Sequence, residues 1–100
     1  MTELWVVRRE RGGPWDWSRG MREQQDWDEH AKFMEDLVDE GFVVLGGPLE
    51  GEGGREVLHI VDAPSEEAVY ARFADDIWTN TGMLATIRVE RWTVLLDGRP

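Results

Sequence analysis

The chain is 100 residues long, and its 21 acidic residues against 11 lysines and arginines give a formal net charge of -10. This acid excess argues against nucleic acids and anionic membrane surfaces as partners, because both attract basic proteins. The sequence contains no cysteine, which excludes disulfides, thiolate catalysis and cysteine-ligated metals.

The length fits a single domain over residues 1–100. The N-terminal segment has no basic stretch followed by an apolar run, so we predict no signal peptide. No apolar stretch approaches the ~18 residues that a membrane span requires. We therefore expect a cytoplasmic protein that binds neither membranes nor nucleic acids.

The first predicted element is a strand over residues 3–9, which is apolar on both faces. A polar segment over residues 10–25 follows, and its glycines and proline predict a long loop with a partial turn near its end. Trp15 and Trp17 lie inside this loop. They either form a lid over a pocket or seal the edge of the core or of a subunit contact, and we favour the second role.

A helix is predicted over residues 26–40. Asp26 can cap its first turn, with Glu29 as the second half of a capping box, and Gly41 suits the left-handed position after its end. Residues at steps of three and four share one face of this helix. The members of that face are Trp27, His30, Ala31, Met34, Leu37 and Val38.

The rest of the chain adds three strands and one helix. Two strands are predicted over residues 42–47 and 55–62, and a glycine-rich hairpin loop separates them. The second helix spans residues 65–76, with Ser65 as its N-cap, and the last strand spans residues 84–95. The order of strands and helices predicts an α+β protein with the ferredoxin-like βαββαβ fold.

This topology predicts that His30 and Asp76 are neighbours. The first two strands run parallel on either side of the third, so the two helices run in opposite directions and the start of one lies beside the end of the other. His30 lies near the start of the first helix. Asp76 lies seven residues after Val69, on the inward stripe at the end of the second helix.

Such a pair suits acid–base chemistry. A carboxylate bonded to one imidazole nitrogen leaves the other nitrogen free as a general acid or base. The same pair would also serve simply to tie two helices together, and the residue types do not decide between these roles.

The pattern around these two residues resembles the YCII-related family. The first signature consists of His30, Phe33 or Met34, Leu37, Gly41 and Leu45-Gly46-Gly47-Pro48. The second is the run Phe73-Ala74-Asp75-Asp76-Ile77-Trp78, followed by Gly82 and Trp92. The resemblance covers most of the chain from residue 27 to residue 95. It implies a dimeric α+β barrel in which the proposed active-site histidine and aspartate correspond to His30 and Asp76.

Trp27, Met34 and Trp78 are the candidate substrate-binding residues, because they lie near the predicted pair and suit a pocket for an aromatic compound. Packing alone would also explain each tryptophan. His59 has no second histidine at ligand spacing and the chain has no His-Glu-x-x-His motif, so we predict no metal and no other cofactor. We interpret His59 as a packed strand residue or a pocket wall.

Three functions fit these residues. The first is a cofactor-free enzyme in which His30, held by Asp76, transfers a proton on a small cyclic or aromatic compound, as in isomerisation, elimination or dehydrochlorination. The second is a non-catalytic small-molecule-binding or accessory module. The third is a cofactor-free monooxygenase, an activity that the resemblance implies for part of the wider barrel superfamily.

A homodimer is also predicted, because the two helices cover only one face of the sheet. The apolar strand residues cannot all point at the helices, given the alternation of side chains along a strand. These residues are Trp5, Val57, Val61, Ile87 and Val89. The uncovered apolar face is larger than a monomer usually exposes, and a second copy packed against it would cover it.

Overall fold

The computed structural model describes residues 3–100, which form four strands and three helices. The strands are β1 (Leu4–Arg11), β2 (Val43–Pro48), β3 (Glu56–Asp62) and β4 (Leu84–Trp92). The helices are α1 (Trp27–Asp39), α2 (Glu66–Phe73) and α3 (Ile77–Thr81). Short 3₁₀ turns at Met21–Glu23 and Gly51–Gly54 lie in the connecting loops.

The four strands form one sheet in the order β2-β3-β1-β4, and every neighbouring pair is antiparallel. β1 and β2 therefore run parallel on either side of β3, as the ferredoxin-like fold requires. This order confirms the predicted α+β fold. In the register of the sheet, Val7 in β1 lies opposite His59 in β3 and Val89 in β4.

The main core lies between the sheet and the helices. Its buried members are Val7, Leu37, Val43, Val61, Ala63, Val69, Phe73 and Val89. A second cluster packs the long loop against α3. Its buried members are Trp15, Trp78, Met83 and Leu84. The site described below lies where these two clusters meet.

The five apolar strand residues do not all point at the helices, as predicted, although most of them do. The register pairs Trp5 with Val61 and Arg9 with Val57, so these side chains share the phase of the buried Val7. Four of the five predicted residues accordingly pack on the helix side, and Ile87 is exposed. The opposite phase supplies the uncovered face, with apolar residues at Leu4, Val6, Leu58 and Ile60.

The start of α1 differs from the prediction. Asp26 precedes the helix with a left-handed backbone (φ 62°), and its side chain makes no capping hydrogen bond. A side-chain cap requires an extended backbone at that residue, so the predicted capping box with Glu29 is wrong. Gly41 takes the predicted left-handed conformation after the helix (φ 80°). Val38, at the end of the predicted apolar face, is exposed.

The second helix is shorter than predicted, because the chain breaks after Phe73 and Asp76 begins α3 instead of ending α2. Asp76 has an extended backbone (ψ 126°), and its side chain accepts a hydrogen bond from Trp78 N. An aspartate that satisfies a free amide in this way starts a new helix. Ser65 caps α2 as predicted, by accepting a hydrogen bond from Ala68 N.

The end of β1 and the end of β4 also differ from the prediction, because the pairing between these two strands sets where each of them ends. β1 continues to Arg11, which pairs with Leu84, and it begins at Leu4, which pairs with Trp92. Residues 93–95 therefore have no β1 residue opposite them, and β4 ends earlier than predicted. Within residues 3–100, no helix is long and apolar enough to cross a bilayer.

Candidate active site

His30 and Asp76 are in direct contact beneath the start of α1. His30 Nδ1 lies 2.9 Å from Oδ1 and 3.0 Å from Oδ2 of Asp76. The backbone N–H of Trp78 donates to Oδ1 at 3.0 Å. Asp76 thus orients the imidazole with the same carboxylate that caps α3, so the local fold of the chain fixes the geometry of the pair.

Arg9 is a third member of this cluster. Its Nη1 donates to Oδ2 of Asp76 at 3.0 Å, and its Nη2 donates to Oγ1 of Thr79. The side chains of Arg9 and Asp76 are both fully buried. Arg9 was not among the predicted site residues, although its phase along β1, two residues after Val7, places it on the same face of the sheet as that residue.

The charges in this cluster determine the protonation of the histidine ring. Burial would raise the pKa of the Asp76 carboxyl, but the hydrogen bond from His30, the charge of His30 when it is protonated and the positive charge of Arg9 lower it below its ordinary value. Asp76 is therefore ionised at neutral pH and only accepts hydrogen bonds. His30 Nδ1 must then carry a proton, and the lone pair of the neutral imidazole lies on Nε2.

Aromatic rings hold the imidazole on its other side. The rings of His30 and Trp78 stack with centroids 3.8 Å apart and planes inclined by 9°. Trp78 is held in turn by a hydrogen bond from its Nε1 to the carbonyl of Gln25 at 2.7 Å. Trp27 lies 5.9 Å from the His30 ring. This enclosure leaves the imidazole little freedom to rotate.

The loop tryptophans have different environments. Trp15 is 6% exposed and meets Trp78 edge-on at 5.4 Å, which fits the favoured role of sealing the edge of the core. Trp17 is 55% exposed and lies 6.2 Å from Trp15. The guanidinium of Arg11 lies 4.2 Å from the centre of the Trp15 ring, which fixes the loop against the end of β1.

A cavity of about 530 Å³ opens beside the pair, between α1 and the strands β2 and β3. His30 and the three predicted substrate-binding residues, Trp27, Met34 and Trp78, all line it. Asp76 is buried behind His30 and is not part of the lining. Within residues 3–100, Nε2 of His30 has no hydrogen-bond partner in the protein, so this nitrogen is available to a ligand in the cavity.

His59 lines the same cavity from β3. It is 5% exposed, and its ring lies 5.4 Å from that of Phe73. Burial lowers the pKa of His59 to about 3, and the positive charge of Arg9 and that of His30 when it is protonated act in the same direction. A neutral imidazole therefore faces the cavity at physiological pH. The described part of the chain contains no group of three or more metal-ligating side chains arranged to hold an ion.

Comparison with known proteins gives one family and one solved structure. The family model of the YCII-related domain matches residues 9–93. A solved structure with the same fold is the 5-chloro-2-hydroxyhydroquinone dehydrochlorinase from Burkholderia phenoliruptrix in complex with 2,5-dihydroxybenzoquinone. It is 26% identical, with a TM-score of 0.66, and the match covers 90% of this chain and 93% of the dehydrochlorinase. No match was found among curated proteins.

Proposed function

The chain belongs to the YCII-related family, and on that premise we propose that it is a cofactor-free enzyme acting on a small hydroxylated ring compound. His30 is the general base or acid, and Asp76 orients it. Trp27, Met34 and Trp78 hold the ring of the substrate. The reaction class is a proton transfer coupled to elimination or isomerisation.

One observation carries this proposal. His30 is bound to an ionised carboxylate through Nδ1 and lines a cavity of about 530 Å³, while Nε2 has no protein partner within residues 3–100. A pair that only tied two helices together would need no cavity beside the imidazole. The volume lies in the range of small-molecule sites, and the aromatic walls suit a flat ring.

The geometry supports the following elimination. The step starts from the keto tautomer of the ring compound, in which a hydroxyl proton has moved to the chlorine-bearing carbon. Neutral Nε2 takes the proton of a remaining hydroxyl group, and the electron pair of the broken O–H bond forms a carbonyl. The neighbouring ring double bond shifts towards the chlorine-bearing carbon, and chloride leaves with the electrons of the carbon–chlorine bond. The resulting imidazolium is stabilised by the Asp76 carboxylate 2.9 Å away, and the proton passes to water. In an isomerisation, the imidazolium returns the proton to another atom of the same ring.

The similar solved structure guides the choice of substrate. That protein is a dehydrochlorinase of a chlorinated hydroxyhydroquinone, and the cavity here combines apolar walls with the free Nε2 of His30, which suits such a reaction. Chlorinated or otherwise substituted hydroxyquinols are therefore the first compounds to test. The loop that carries Trp15 and Trp17 contributes Met21 to the wall of the cavity, so we expect the accepted ring substituents to differ from those of the dehydrochlorinase.

The test is chloride release from 5-chloro-2-hydroxyhydroquinone under nitrogen, measured by ion chromatography. We expect release by the wild-type protein and a loss of at least ~100-fold in His30→Asn. Asparagine places an N–H near the position of Nδ1, so it can still donate to Asp76, but it has no atom at the position of Nε2. Thermal unfolding of both proteins checks that the substitution leaves the fold intact.

Other outcomes of this test point to the alternatives. Binding of 2,5-dihydroxybenzoquinone in calorimetry, without turnover of any hydroxyquinol, would support a non-catalytic binding module. Oxygen uptake in air, with no chloride release under nitrogen, would support a cofactor-free monooxygenase. Equal chloride release by the wild-type protein and His30→Asn would contradict the role of His30.

We also propose that the enzyme is a homodimer formed through the uncovered face of the sheet. Large apolar side chains lie exposed on or beside this face, among them Leu45, Ile87 and Trp92. A second copy of the chain would bury them and enclose the open side of the cavity near β2. Light scattering at micromolar concentration should give twice the 11.5 kDa mass of one chain, and a monomer mass would contradict the proposal.

A further inference from the structure

We infer that His59 is a second ligand-binding residue of this cavity, where it hydrogen-bonds an uncharged hydroxyl group of the substrate ring. The inference deepens the proposed function and rests on it, because it takes the cavity to be a substrate site. His30 would face the part of the ring that reacts, and His59 would select a ring that carries a hydroxyl group at a second position.

The ring of His59 makes no hydrogen bond to the described part of the chain, so it does not stabilise the fold in that way. It lies in the middle of β3, opposite Val7 of β1 and Gly46 of β2. Its Nδ1 is buried without a hydrogen-bond partner, and no residue in the described part of the chain bonds Nε2. Buried polar groups in proteins are nearly always paired, so packing alone does not explain this ring. Its Nε2, unlike Nδ1, is not buried, and the residue lines the cavity, so Nε2 is the nitrogen that a ligand can reach.

Gly46 keeps the Nε2 edge of this ring open. A Cβ atom at Gly46 would lie 2.7 Å from Cδ2 and 3.4 Å from Nε2 of His59. Gly46 also lines the cavity, so the space that its missing side chain leaves lies between the imidazole edge and the cavity. Any larger residue at this position would displace the ring or cover its free nitrogen.

The charges around His59 favour a hydroxyl group over an anion. The titratable and charged groups that face it are Arg9 from β1, His30 from α1 and Asp76 at the start of α3, and the ring stays neutral chiefly because it is buried, with Arg9 acting in the same direction. Among the described residues that line the cavity there is neither lysine nor arginine, and Glu35 is present. A carboxylate or phosphate on the ligand would find no permanent countercharge there.

The hydrogen-bonding capacity of the His59 ring also favours a hydroxyl group on the ligand. A neutral imidazole has one N–H and one acceptor nitrogen, and either tautomer can place either group at Nε2. A hydroxyl group both donates and accepts, so it pairs with both tautomers, whereas a carboxylate or a carbonyl pairs with only one. A flat ring with hydroxyl groups at two positions would thus contact His30 and His59 at once.

The experiment compares hydroquinone, which has two hydroxyl groups, with phenol, which has one. Calorimetric titrations under nitrogen should show that the wild-type protein binds hydroquinone about three- to tenfold more tightly than phenol, as one extra hydrogen bond predicts. In His59→Leu this ratio should fall to near one, while the affinity for phenol changes little. His59→Gln retains a neutral polar group near Nε2 and should restore part of the preference.

A second measurement uses the wild-type protein alone. Hydroquinone should shift the ring ¹⁵N resonances of His59, and phenol should shift them less. An unchanged hydroquinone-to-phenol ratio in His59→Leu, no response of the His59 ring, or no binding of either compound at millimolar concentration would overturn the inference. Should His59→Leu fail to fold, the ring resonances of the wild-type protein and the ratio in His59→Gln decide the matter.

These results are separable from the test of the proposed function. Loss of the hydroquinone preference in His59→Leu without chloride release by the wild-type protein would leave the binding role of His59 standing and refute the enzyme. Chloride release with a preference that does not depend on His59 would refute the inference and leave the enzyme standing.

Discussion

Arg9 and Asp76 form an ion pair in which neither side chain is exposed, with 3.0 Å between Nη1 and Oδ2. Their opposite charges cancel, so the buried cluster is neutral overall while the His30 imidazole is neutral. Protonation of His30 then adds one positive charge next to a carboxylate that is already compensated. The pair therefore keeps Asp76 ionised throughout the proton transfer proposed for His30.

Replacing Arg9 with methionine should be strongly destabilising. Asp76 would remain buried with only hydrogen bonds to His30 and to the backbone of Trp78, and removing one member of a buried ion pair typically costs about 3–5 kcal/mol. Urea unfolding should show this loss in the free energy of unfolding. Arg8→Met is the matched control, because Arg8 is 41% exposed and pairs with Glu56, and such surface pairs contribute at most about 1 kcal/mol. Similar losses in both variants would contradict the buried ion pair.

The stability of the protein should depend on the protonation of His59. In the unfolded chain its pKa is near the ordinary 6.5, and burial in the folded protein lowers it to about 3. Between these values the unfolded state binds a proton that the folded state does not bind, so stability falls as the pH falls from about 6 to about 4. The expected slope is about 1.4 kcal/mol per pH unit.

Urea unfolding at several pH values measures this slope, and His59→Gln should remove it. Carboxylates also lose stabilising interactions in acid, but the pKa of Asp76 is lowered below the ordinary carboxyl value of 3.8, so its contribution is lost mainly below this window. Both proteins share that contribution. Parallel curves for the wild-type protein and His59→Gln would mean that His59 takes up protons in the folded state as readily as in the unfolded chain.

Gly46 and Gly47 should respond differently to alanine. A Cβ atom at Gly46 would meet His59 Cδ2 at 2.7 Å, whereas one at Gly47 meets no atom within 4 Å. Neither glycine has a positive φ, so the difference is one of space alone. Gly46→Ala should lower the free energy of unfolding by about 1–3 kcal/mol, and Gly47→Ala should leave it unchanged or raise it by up to about 1 kcal/mol. Equal thermal midpoints would show that the His59 ring is free to move.

The two loop tryptophans provide a test of the role of the loop. Trp15 is buried against Trp78, so Trp15→Ala should cost about 3–5 kcal/mol. Trp17 is largely exposed, and Trp17→Ala should cost less than about 1 kcal/mol. Thermal unfolding of both variants measures the difference. A loop that acted only as a mobile lid would give small losses for both substitutions.

Much of the fold could be predicted from the local pattern. The alternation of apolar residues and the position of glycines located all four strands and the first helix, and the order of elements led to the ferredoxin-like sheet. The errors lie at element ends, because β4 ends where β1 begins and no local signal records this. The face that the helices cover could not be predicted, because both faces of β1 and β3 are apolar and alternation alone does not tell them apart.

The contact between His30 and Asp76 followed from topology, although the path to it was partly wrong. Asp76 was expected on the inward stripe of the second helix, and it instead caps α3. Arg9 escaped notice because a charge at the end of a predicted strand is usually solvated. Its burial depends on Asp76, which is 67 positions away, and no local pattern reports such a partner. The catalytic and substrate-binding roles of these residues stay predictions.

Asp76 has two structural roles, and these affect how sequence differences within the family should be interpreted. Its carboxylate caps α3 and balances the buried Arg9, so a relative without the proposed activity would still need an aspartate here in order to fold. An aspartate at this position is thus a weak marker of that activity. Folding needs only the donor that His30 Nδ1 offers to Asp76, which an asparagine could also supply, whereas Nε2 has no structural partner within residues 3–100. Under the proposed function, a histidine at position 30 is therefore the more informative marker.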